Sequence, residues 1–164
     1  MADVKADVSK RLDIQDIALW ETSLKRNVEY PDVEPASIRF QEMRGVRVDN
    51  VEAYDDEGSL VELLKMFVSL GVRCRAVRAS SEDVHSVEGD SDSSVLFTLE
   101  ATFAVDYLVK DSLSQDEVTA FARFNAVHNV WPFWRQHVFD VLKKASLPIP
   151  EVPFFAGRTV MVEE

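Results

Sequence analysis

Two stretches of strict alternation constrain this chain most. Val68, Leu70, Val72, Cys74 and Ala76 put apolar side chains on one face of an extended segment, and Phe97, Leu99, Ala101, Phe103, Val105 and Tyr107 do the same. The spacing predicts strands over 68–77 and 95–109. Between them, Ala79 to Ser94 has the small, polar and acidic composition of a solvated hairpin loop, so the pair is antiparallel. An amphipathic sheet of this kind has one face to cover.

The cover follows in sequence. Ser114 with Glu117 forms a capping box that opens a helix whose inward face is Val118, Phe121, Ala122, Asn125 and His128. A break near Asn129 is expected, and then a second helix that Pro132 opens in its first turn, where a missing N–H costs nothing. On that helix Trp131, Trp134, Val138, Val141, Leu142 and Ala145 fall on one stripe. Lys143 and Lys144 oppose the dipole of its last turn, and Pro148 and Pro150 end it. Upstream, Leu12, Ile14, Ile17 and Leu19 alternate around a one-residue shift, as in a long strand with a bulge. Tyr30-Pro31 and Glu34-Pro35 break it. Ser37 to Asp49 reads as an extended connection with one edge strand, and Leu60 to Phe67 as either a helical turn capped by Ser59 and Glu62 or an earlier part of the following strand. The expectation is one α+β domain over residues 1–164, an antiparallel sheet of about four strands followed by two consecutive helices, with a loose leader over 1–10 and a tail over 153–164.

Charge and composition bound the function. Twenty-nine acidic against eighteen basic residues give a net charge of −11, which repels phosphate backbones and argues against nucleic acid. No apolar run reaches the ~20 residues of a membrane span, and no signal-peptide core precedes Asp16, so a cytoplasmic protein is expected. The lone Cys74 excludes an internal disulfide and a CxxC clip. His128 and His137, nine residues apart, would lie ~180° apart on one helix and cannot share a metal; His137 with Asp140 is too few ligands, and His85 lies in the acidic loop. No phosphate cradle or hydrolase motif occurs, so neither a catalytic residue, a metal nor a cofactor is assigned.

Aromatics outside the central strands carry more information. Trp131 and Trp134 read as the core layer between sheet and helices. Phe133 lies on the other side of its helix, and Phe154-Phe155 stand paired in a proline-spaced tail, so these rings read as an exposed groove or an oligomer seam. The first helix has Val118 and Phe121 inward, and Ala120, Phe124 and Val127 elsewhere. One sheet cannot cover both sides, so Val118, Phe121, Phe124 and Val127 are assigned to a dimer or tetramer interface.

Taken together, Ile14-Gln15-Asp16-Ile17 at the head of the first strand, the W-P-F-W-R of Trp131 to Arg135 and Leu147-Pro148 make the chain resemble the SecB export-chaperone family over most of its length. The resemblance implies a four-stranded antiparallel sheet with two helices, a dimer of dimers, and ATP-independent binding of unfolded polypeptides. The implied groove lies between the crossover connection and the second helix, lined by Phe40, Met43 and Phe133, with Trp20, Phe154 and Phe155 as extensions. Typical members end in a cysteine- and histidine-bearing tail that binds zinc and docks on the SecA ATPase. Here Arg158 is followed by TVMVEE. That departure leaves an acidic surface as the remaining route to SecA, and resembles the divergent SecB-like branch, some members of which serve the antitoxin of a toxin–antitoxin system. The competing reading is a non-catalytic oligomeric adaptor whose aromatics are buried between subunits.

Overall fold

The computed structural model describes residues 8–29, 37–77 and 95–154. Four strands, β1 (Leu12–Arg26), β2 (Ile38–Tyr54), β3 (Leu60–Ala76) and β4 (Val95–Val109), form one antiparallel sheet in the order β1-β4-β3-β2. The chain therefore crosses from one sheet edge to the other between β1 and β2, then meanders back. The α+β expectation holds. The helical part differs from it in one respect: α1 (Gln115–Phe121) and α2 (Val127–Lys144) are joined end to end by a π-helical segment, Ala122–Ala126.

The sequence break at Asn129 is thus absent, and Pro132 lies inside α2 rather than at its start. Pro132 supplies no N–H to the turn that begins at His128, which costs a helix interior ~3 kcal/mol. Burial across the same stretch offsets it: Val130, Trp131, Trp134 and Val138 are all at most 3% exposed. The π segment also explains why α1 looked apolar on two sides. Ala122 and Trp131 are nine residues apart and would fall ~180° apart on an unbroken α-helix, yet both are buried. The wider π turns change the phase of a single buried face. His128, placed inward by an α-helical count, is exposed, while Ala126 and Val127 are buried.

The capping box at α1 is present as expected, with Ser114 Oγ accepting from Glu117 N–H and the Glu117 carboxylate accepting from Ser114 N–H. Helix α2 ends in a Schellman turn: Ser146 has φ 55°, Ser146 N–H donates to Lys143 C=O, and Leu147 N–H donates to Leu142 C=O. Leu147 and Leu142 are both buried, which supplies the apolar contact of that motif.

Two strands are longer than the sequence suggested. The stretch expected as a connection with one edge strand is a full 17-residue strand, β2, and Leu60 to Phe67 is the first half of β3. Ser59 caps no helix. Its N–H donates to Asp55 Oδ1 at 2.7 Å, Glu57 N–H donates to the same oxygen, and Gly58 takes φ +81° to close the β2–β3 hairpin. Strand β1 has register shifts at Ile14/Asp16 and at Leu19/Glu21, so Gln15 and Trp20 are the inserted residues. The expected leader is partly built: residues 8–11 are helical and Val8 is 6% exposed within the core. The proline-broken stretch from Tyr30 to Pro35, the loop over 79–94 and Phe155 lie outside the described residues.

Candidate peptide-binding surfaces

Register fixes which side chains face the helices. Phe97, Leu99, Ala101, Phe103, Val105 and Tyr107 of β4 stand opposite Cys74, Val72, Leu70, Val68, Met66 and Leu64 of β3, and all are buried. Tyr107 marks this as the helix-facing side: its ring meets Phe121 edge-on at 5.0 Å and its hydroxyl accepts from Asn129 Nδ2 at 2.8 Å. Burial pushes the Tyr107 phenol up to about 12, against the smaller opposing effect of that bond, and raises the Cys74 thiol to about 11. Neither group ionises near neutral pH.

Helix α2 has two flanks. On the β1 flank, His137 Nε2 and Thr22 Oγ1 share a hydrogen bond at 2.8 Å, and the imidazole lies between Phe103, edge-on at 6.1 Å, and Trp134, stacked at 6.3 Å. Burial lowers the His137 pKa, with Asp140 opposing. Phe133, one turn before His137, is 47% exposed, as its position opposite the core stripe required. Nearby on β1, Ile14 and Leu19 point to the helix side of the sheet but remain about half exposed.

On the β2 flank, the Arg44 guanidinium lies 4.7 Å from the Trp131 ring centroid. The Trp131 indole N–H donates to Pro153 C=O at 2.8 Å, Arg135 Nε donates to Val152 C=O at 3.1 Å, and the Arg135 guanidinium covers the Phe154 ring at 4.2 Å. The segment after the helix, without regular secondary structure, is held against it by these contacts. Phe40 stands on this side of the sheet, edge-on to Phe97 at 6.4 Å.

Trp20 and Met43 are elsewhere. Trp20, next to the helix-facing Leu19, points to the face of the sheet away from the helices, where it meets Phe67 edge-on at 5.3 Å and remains 62% exposed. Arg47 covers the other part of Phe67 at 4.3 Å. Met43 lies over Gly71 on that same face, close enough that a Cβ on Gly71 would fall 2.7 Å from Met43 Cε. Of the six residues expected to line one groove, the five that are described do not converge. Phe40 and Phe154 belong to the β2 flank, Phe133 to the β1 flank, and Trp20 and Met43 to the open face. Of the four assigned to an oligomer seam, Val118, Phe121 and Val127 are at most 8% exposed inside their own core, and Phe124 alone, at 47%, has surface left to give.

Sequence reasoning missed Phe139, 51% exposed, which continues the Trp131 and Arg135 row by another turn. It also missed the half-exposed Ile14 and Leu19, whose alternation looked like ordinary core. Four-residue spacing from Trp131 would have found Phe139; nothing local marks β1 as incompletely covered. No group of three or more metal-ligating side chains occurs among the described residues, and no described helix is long and apolar enough to cross a membrane.

No protein-family model and no curated protein sequence matches the chain. The fold itself is that of the SecB-like chaperones. A SecB-like chaperone of Mycobacterium tuberculosis, solved in complex with a peptide from the HigA1 antitoxin, superposes with a TM-score of 0.63 at 18% identity, over 95% of this chain and 99% of that one.

Proposed function

We propose that this chain is an ATP-independent chaperone that holds unfolded or partly folded polypeptides. The observation that carries the reading is a set of large rings left 47% to 75% exposed around α2 and its tail, Phe133, Phe139 and Phe154, on a chain of net charge −11. Exposed apolar area of that kind binds unfolded chains, and like-charge repulsion keeps its bearers apart. Holding a client in its unfolded form is a mass-action effect and consumes no nucleotide. The fold shared with a chaperone solved on an antitoxin peptide supports the same class of ligand, and an antitoxin or an export client both fit it.

A homo-oligomer in the cytoplasm belongs to this proposal. Strand β1 is a sheet edge that pairs only with β4 among the described residues, and Ile14 and Leu19 on it remain about half exposed. A dimer formed there would bury that surface. The adaptor reading draws on the same residues and differs in one consequence: with every ring taken up between subunits, no client binds.

The test is suppression of aggregation of a reduced, unfolded protein without ATP. Each ring buried against a client contributes ~1.5 to 3 kcal/mol. Phe133→Ala should therefore weaken suppression about tenfold or more at unchanged oligomeric mass. Loss of oligomeric mass in Phe133→Ala, with no suppression of aggregation by the parent chain, would favour the adaptor.

A further inference from the structure

The segment after α2 is bound in a way that defines a ligand. Two side-chain donors one helical turn apart, Trp131 Nε1 and Arg135 Nε, take the carbonyls of consecutive residues, Pro153 and Val152, at 2.8 and 3.1 Å. The next ring, Phe154, lies 4.2 Å under the Arg135 guanidinium. Only donors meet the backbone here, so a proline, which has no N–H, leaves nothing unpaired. Proline also fixes φ near the extended value, which lowers the entropy lost on binding. Val152 and Pro153 contribute their backbone carbonyls, Val152 also packs partly buried against the core, and the one aromatic ring recognised is that of Phe154.

The same contacts are weakly secured. Phe154 is 75% exposed, while Trp131 beneath the segment is 1% exposed and carries Arg44 over its ring. A displaced segment would uncover a large indole with an unsatisfied N–H, which a second peptide of like chemistry would satisfy.

We propose that Trp131 and Arg135 form a binding site for an extended peptide in which a proline is followed by an aromatic residue, and that Val152–Phe154 of the same chain holds that site as an internal competitor. An external peptide binds by displacing it. The inference rests on the chaperone reading only in taking that external peptide to be a stretch of an unfolded client.

The test uses the full chain, 15N-labelled at tryptophan, and a synthetic peptide with the sequence of residues 148–156. Three indole signals are expected from the three tryptophans, and Trp20→Phe removes the exposed one. The peptide should move the Trp131 signal. It should bind Phe154→Ala at least fivefold more tightly than the parent chain, because the internal competitor is weakened. Arg135→Met, combined with Phe154→Ala, should weaken the peptide at least tenfold with unchanged circular dichroism, and a peptide with alanine for the proline and phenylalanine matching Pro153 and Phe154 should not bind. Equal affinity of parent and Phe154→Ala chains, or an unmoved Trp131 signal, would overturn the site. Peptide binding without suppression of aggregation would instead overturn the chaperone reading and leave the site standing.

Discussion

Phe133 and Trp134 are neighbours in sequence with opposite duties, and the contrast is open to measurement. Trp134 is 3% exposed under the stacked His137, and Trp134→Ala should cost ~3 to 5 kcal/mol in denaturant unfolding. Phe133 is 47% exposed, so Phe133→Ala should cost about 1 kcal/mol or less in the same experiment. Equal costs would put Phe133 in the core. Glu117 sets a pH dependence. Hydrogen bonding from Arg11, then from Ser114 N–H, lowers its pKa from 4.5 to about 2. The folded value is depressed, so the stabilisation is fully present above the unfolded value and is lost as pH falls from about 4.5 towards 2. Glu117→Gln should flatten that part of the stability profile; an unchanged acid limb would show that the Arg11 pair contributes nothing. At Gly58, φ +81° disfavours any Cβ, and Gly58→Ala should cost ~1 to 2 kcal/mol, read as a lowered thermal midpoint.

Among the elements, the two central strands and the α1 cap were legible because each rests on a local rule: period-two burial for β3 and β4, and the Ser114–Glu117 pair for α1. Strand β2 was not, since as an edge strand it buries none of its residues below the level of partial exposure, and Gly45 interrupts its pattern. The same acids and Gly58 that end β2 form the hairpin turn, a geometry that depends on Asp55 accepting two N–H groups and that Ser59 with Glu62 imitated as a helix start. The join between α1 and α2 was illegible for a different reason. A π segment has no composition signature, and a proline read by propensity alone marks a start, although here burial on both sides carries the helix through it. The groove residues were found as types and scattered as positions: alternation from Leu19 puts Trp20 on the opposite face, and a second bulge there, unseen in sequence, returns Thr22 and Leu24 to the helix side. Ser114→Ala, which removes the cap at Glu117 N–H, should cost ~1 kcal/mol and should leave α2 intact by amide exchange.

For the molecule as a whole, the open sheet face with its exposed Trp20, the incompletely covered β1 edge and the exposed rings along α2 together leave more apolar surface than an acidic monomer has use for. The chaperone proposal gives that surface two occupants, a second copy at β1 and an unfolded chain along α2. Light scattering of the purified 18.6 kDa chain, with and without a reduced, unfolded polypeptide and without nucleotide, measures both at once. The account predicts an oligomeric mass that increases by the mass of the bound polypeptide. A monomeric mass at micromolar concentration that the polypeptide leaves unchanged would contradict it.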